Sequence, residues 1–270
     1  MANINLQTST ILMIDTSYYI FNRFHATARW FSFKEPEIEV HLLTENKEFI
    51  EAFFKHYNQD LFMLCKKNKI VNDNILWCID APRSEIWRMK LHTEYKGTRE
   101  HLKFDKRIFP IFYEYLMSNG QRLVQCPTLE ADDVIALIHE TIRENDATHP
   151  ILIITNDNDY LQLCSIYTRI QNMQGRDIFT RGSGDAKKDV LIKILMGDKS
   201  DNIPAVYPKC GPKTAIQLAE MSEEERFAEL ERRGALVQYK MNETLIRFDC
   251  IPDELRTTFK NLYQINILRI

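Results

Sequence analysis

Three short apolar runs along the chain each stop at an aspartate. Residues 10–15 (Thr-Ile-Leu-Met-Ile-Asp), 75–80 (Ile-Leu-Trp-Cys-Ile-Asp) and 151–157 (Ile-Leu-Ile-Ile-Thr-Asn-Asp) share this design. Unbroken apolar runs of that length fit parallel strands covered on both faces. Helical spacing occupies the segments at about 45–67, 105–118 and 131–145. Alternation of this kind predicts an α/β fold, a doubly wound and mainly parallel sheet whose ligand sites lie beyond the carboxyl ends of its strands. Residues 121–126 predict another strand before Pro127, and 167–179 a short hairpin region turning near Gly175. Residues 181–188 read as a loop. From about 189 the chain reads as mainly helical, with an irregular stretch near 241–252. The expected layout is a catalytic region over 1–185 and a helical region over 186–270 packed on it.

Composition narrows the class. With 270 residues and 44% hydrophobic positions, the chain can bury one large core, with at most a modest appendage. Six cysteines are scattered without a Cys-x-x-Cys pair, and seven histidines show no paired ligand spacing, which argues against disulfide frames and zinc. The first residues lack the basic and long apolar stretches of a secretory signal, and no apolar run reaches membrane-spanning length. An intracellular protein, in cytoplasm or nucleus and without membrane contact, is therefore expected.

The net charge of −3 hides two opposed populations. Nine acids sit in four clusters: Asp15 and Asp80 at strand ends; Glu130, Asp132 and Asp133 opening a helix; Asp157 and Asp159; and Asp198 and Asp201. Setting these nine aside leaves +6 on the rest, and residues 83–107 hold eight Lys or Arg against four Asp or Glu. Acids in a first helical turn also complement the helix dipole, so one or two of them would signify little. An extended backbone would point Asp157 and Asp159 the same way, and one helical turn would do so for Asp198 and Asp201. Carboxylates gathered at one sheet edge repel one another unless hard cations neutralise them, and all-oxygen sites select Mg²⁺ or Mn²⁺. Phosphodiester hydrolysis is the chemistry that uses two such ions.

The strings Glu130-Ala-Asp-Asp133 and Gly197-Asp-Lys-Ser-Asp-Asn-Ile-Pro204, in this order and separation, resemble the flap endonuclease-like 5′-nuclease family. That family is a branch of the PIN-like nucleases including phage RNase H and the 5′-3′ exonuclease domains of bacterial DNA polymerases. The resemblance spans roughly residues 10–217, and residues 239–252 are similar to the phage branch in particular. It implies two Mg²⁺ ions, with Mn²⁺ able to substitute. Asp15, Asp80, Glu130 and Asp132 would serve one ion, Asp157, Asp159, Asp198 and Asp201 the other, and Asp133 would support either. It further implies a helical arch at about 81–110, where Lys96 reaches the scissile phosphate and Arg88 or Arg99 grips its neighbours. Tyr95 would stack on a base or anchor the arch to the core.

Residues 203–215 resemble the family's helix–three-turn–helix, placed at about 197–217, with Lys209, Gly211, Lys213 and Thr214 at duplex phosphates. Ala205 and Lys209 stand where relatives often carry glycine, so K⁺ in this hairpin is left open. The implied activity is a structure-specific 5′-3′ exonuclease or flap endonuclease. Its partners would be DNA with a 5′ flap, a nick or an RNA primer end, and replication proteins acting in trans. A PIN-type single-strand ribonuclease, a non-catalytic junction-binding protein and a phosphatase are the rival readings. The last is disfavoured because Asp15-Thr-Ser lacks a second acid.

Overall fold

The computed structural model describes residues 1–97 and 104–268. In chain order the elements are β1 (Ala2–Gln7), β2 (Ile11–Asp15), α1 (Thr16–Phe31), α2 (Lys47–Asn68), β3 (Ile75–Ile79), α3 (Trp87–Leu91) and α4 (Ile108–Ser118). They continue with β4 (Arg122–Gln125), α5 (Ala131–Asn145), β5 (Ile151–Ile154), β6 (Thr168–Gln171) and α6 (Ala186–Met196). The last are α7 (Pro212–Glu220), α8 (Glu223–Arg232), α9 (Leu236–Ile246), α10 (Asp253–Leu262) and β7 (Tyr263–Leu268).

Five strands form one all-parallel sheet in the order β4-β3-β2-β5-β6. Every residue of β3 and β5 is buried, as unbroken apolar runs require when helices cover both faces. Strand order reverses between β2 and β5, and at such a switch point the loops leaving adjacent strands part and open a crevice. Asp15, Asp80 and Asp157 leave the carboxyl ends of these central strands.

Several expectations shift. The region at 16–31 carried no predicted helix, yet α1 buries Thr16, Tyr19, Ile20, Phe24, Thr27 and Phe31 along one face. Its aromatic and β-branched residues have low intrinsic helix propensity, so tertiary packing decides here. The hairpin region at 167–179 is minimal: the chain leaving β6 turns near Gly175 (φ +69°) and closes with an antiparallel bridge between Gln171 and Asp177, with no second strand in this described segment. The two ends of the chain pair as a separate parallel two-stranded sheet, β1 with β7. Phe248, Ile251, Phe259 and Ile265 belong to the core beside the main sheet. The stretch from 248 therefore returns to the first region, where the expectation had placed all of 186–270 in one helical unit. Another core, built mainly from α6 to α9, takes in Ile86 and Tyr95 from the segment between β3 and α4. No described helix is long and apolar enough to cross a membrane.

Candidate metal centre and nucleic-acid interface

A cavity of about 1050 Å³ opens at the switch point. Five of the nine acids line it: Asp15, Asp80, Asp132, Asp157 and Asp198. All but Asp80 accept from a backbone amide one to three residues on in the chain. Asp15 caps α1 by accepting from the Tyr18 amide (3.0 Å), and Tyr160 donates to its other oxygen (3.2 Å). Asp80 accepts from the Ala131 amide (2.8 Å) and from the Ser17 hydroxyl, so the first turns of α1 and α5 meet at one carboxylate. Asp157 caps a 3₁₀ turn over Asn158–Leu163, and the Asp159 amide donates to it (3.0 Å). The predicted extended pairing of these two is thus replaced by a cap and the turn it starts.

Asp198 and Asp201 do not share a helical turn either. The Asp198 amide donates to the Ile203 carbonyl (2.9 Å) and the Ile203 amide returns the bond (2.7 Å), closing a tight turn. Gly197 makes this turn possible: its φ is +70°, and a Cβ there would come within 2.3 Å of the Ile203 carbonyl oxygen.

The other four acids lie behind the cavity wall. One carboxylate oxygen each of Glu130, Asp132 and Asp133 falls within 4.8 Å of the other two, as does one each of Asp159, Asp198 and Asp201. Asp133 is fully buried and grips Arg88 through both oxygens (2.7 Å each), while the Trp87 indole donates to it (2.9 Å). Arg88 also reaches Glu130 (2.9 Å) and the Leu245 carbonyl (2.8 Å). At 1% exposure it cannot hold a phosphate, which corrects that expectation. Tyr95 is buried too, its hydroxyl within 3.0 Å of Glu130 and 3.2 Å of Asp201, so it ties its own segment to the acidic groups and is not exposed to stack on a base. Lys96 lines the cavity and pairs with Glu130. Arg99 lies outside the described residues.

Lys193 went unnoticed in the sequence. It lines the cavity from α6 and pairs with Asp159 and, at 2.7 Å, with Asp198. A signal was available, because it is the one charge within the apolar run 190–196. Tyr18, Phe21 and Phe109 form an aromatic wall of the same cavity, also unforeseen. Farther along, Gly211 caps α7 with Pro212 next, and Lys213 and Thr214 follow in the first turn. Lys209, exposed, takes a φ of +67°. Asn242 ties α9 to α6 and to the turn after it by donating to the Ile194 and Pro204 carbonyls (2.8 Å each).

The electrostatics record crowding. Burial, then the charges of Asp80 and Asp157, push Asp15 up to about 7. Burial and Asp157 take Asp159 to about 7, and Asp132 rises well above its usual range through burial, Glu130 and Asp133. Against the effect of burial, Lys96 and Arg88 hold Glu130 at about 2, and Lys193 and Ser200 hold Asp198 at about 2. An all-oxygen donor set whose members resist ionising together fits a hard divalent cation.

This crowding has a measurable cost without divalent ions. Asp15 keeps its proton in the fold up to about 7, but in the unfolded chain only to about 3.8. Between those values unfolding releases a proton, so rising pH favours the unfolded state. In EDTA, the melting temperature of Asp15→Asn should match that of the native chain at pH 3.8 and exceed it increasingly toward pH 7. Differential scanning calorimetry across that range checks this, and a gap that stays constant or reverses would contradict it.

Residues 10–189 match the family model of the 5′-3′ exonuclease N-terminal resolvase-like domain. The 5′-3′ exonuclease of Aquifex aeolicus (strain VF5) is 28% identical over 216 residues, spanning 77% of this chain and 68% of that protein. Ribonuclease H of Enterobacteria phage T4 is 28% identical over 231 residues, 76% of this chain and 74% of its own. Among solved structures, the bacteriophage T5 flap endonuclease, in a pseudo-enzyme–product complex with DNA and metal ions, superposes with a TM-score of 0.62. It covers 94% of this chain and 97% of its own at 14% identity, a likeness of fold.

Proposed function

The chain belongs to the 5′-3′ exonuclease family, and from that premise we propose that it is a Mg²⁺-dependent, structure-specific 5′ nuclease cutting near duplex–single-strand junctions. The carrying observation is that carboxylates from five separate segments meet at one cavity whose other walls are aromatic and cationic. In this reading Asp15, Asp80, Asp132 and Glu130 hold one cation, and Asp157, Asp159, Asp198 and Asp201 hold another. Bound there, two hard cations supply Lewis-acid stabilisation of the charge that builds on a phosphodiester undergoing attack by water.

The chain's own groups do the remainder. Lys96, at the cavity wall beside Glu130, offsets charge on the phosphate. Tyr18, Phe21 and Phe109 offer ring faces to bases near the cut, a contact indifferent to sequence. Arg88 and Asp133 hold the arch base and the start of α5 in register. The α7 N-terminus with Lys213 and Thr214 holds duplex phosphates, so junction shape sets specificity. The products are a 3′-hydroxyl and a 5′-phosphate, and the biological task is removal of flaps or RNA primers in replication or repair.

The test is cleavage of internally labelled 5′-flap DNA in Mg²⁺, beside fully duplex DNA, single-stranded DNA and single-stranded RNA. Cutting near the junction that EDTA abolishes is the expected result. Cutting of single-stranded RNA alone would replace this reading with a PIN-type ribonuclease, and tight flap binding with no product would replace it with a junction-binding protein.

A further inference from the structure

Among the described cations, Lys193 is the one whose ion pairs reach two members of the second acidic group. It stands on α6 between apolar neighbours, and its ammonium enters the second acidic group, on Asp159 and 2.7 Å from Asp198. One oxygen each of Asp159, Asp198 and Asp201 lies within 4.8 Å of the others, and this ammonium sits on two of those three carboxylates, Asp159 and Asp198. Both partners are nearly enclosed, with side chains 11% and 15% exposed, and the lysine itself is 22% exposed. Lys96 differs. Its backbone is fixed by a positive φ and by a 2.9 Å bond from its amide to the Asp201 carbonyl, and its ammonium sits on Glu130, with Asp201 farther off at 3.9 Å.

We propose that Lys193 is the built-in counter-ion of the second acidic group and that a divalent cation must displace it to bind there. This rests on the metal-dependent reading above and adds to it an order of events. A flexible four-carbon stem lets the ammonium leave Asp159 and Asp198 without moving α6. Lys193 lines the cavity, so the anion it meets on leaving is a phosphodiester lying in that cavity. Entry of the ion and of the substrate phosphate are then coupled: each frees what the other needs, and by linkage each tightens the other to the same degree. Without nucleic acid the second group binds weakly, because its binding-competent state is only fractionally populated.

The test is Mn²⁺ binding to the full chain without nucleic acid, followed by calorimetry and electron paramagnetic resonance, in the native protein and in Lys193→Met. The variant should bind its weaker ion about tenfold more tightly or better. Its melting temperature should be lower than native in EDTA and should rise more on adding Mn²⁺. A lysine with a merely structural role would lower both melting temperatures equally and leave affinity unchanged or weaker, and that result overturns the proposal. If neither protein binds Mn²⁺, the metal-dependent reading itself fails, a separate and recognisable outcome. Acetylation of Lys193 in the native protein, followed by peptide mass spectrometry, needs no variant to fold. Its rate should rise several-fold with Mn²⁺, and an unchanged or slower rate overturns the proposal.

Discussion

Asp132→Asn is expected to lower flap cleavage by at least about 10³-fold, a barrier increase of about 4 kcal/mol, while junction binding stays measurable. Asp132 lines the cavity and stands in the first turn of α5, where the Asp133 amide donates to it (2.6 Å). Asparagine keeps the size and that acceptor, so the change removes little besides the charge. The same charge is a burden to the fold without cations: burial, Glu130 and Asp133 all oppose its ionisation. Asp132→Asn should therefore melt at the same temperature as the native chain or higher when both are in EDTA above neutral pH. Loss of activity together with loss of stability would mean that Asp132 supports the fold. Full activity would remove it from the reacting centre.

Arg88→Ala should have the largest effect on stability, a loss of about 3–5 kcal/mol by denaturant unfolding. The substitution strands Asp133, which is wholly buried, and takes one of the two cations from Glu130. It also removes a guanidinium stacked 4.5 Å from the Trp87 ring and frees the Leu245 carbonyl at the end of α9. Removing both members of a buried ion pair costs far less than removing one, because no uncompensated charge remains. Arg88→Met combined with Asp133→Leu should accordingly recover most of the loss. An Arg88→Ala protein as stable as the native chain would show that this network carries no weight in the fold.

The fold was legible where the sequence repeats one local design. An apolar run ending in an acid, followed by helical spacing, defines a parallel strand and puts the acid at its carboxyl end. Once three such strands lie side by side, Asp15, Asp80 and Asp157 have to gather at one edge. Helix α5 was equally readable, since its acidic start and apolar face both lie within one 15-residue segment. Helix α1 was missed although its buried positions 16, 19, 20, 24, 27 and 31 fall at helical spacing, because its aromatic and β-branched residues are equally strand formers.

At the site, sequence alone determined which acids are present and on which segments, because composition and spacing are local properties. What each side chain meets was decided by tertiary structure. Arg88 and Tyr95 sit in a basic stretch that invited a role at the phosphate, but the fold turns both inward. Arg88 meets a carboxylate 45 residues away and a carbonyl 157 residues away. Lys193 finds Asp159 across 34 residues, and β1 finds β7 at the opposite end of the chain. Periodicity tells which face of an element is apolar, but it carries no information about the long-range partner that makes burying a charge affordable.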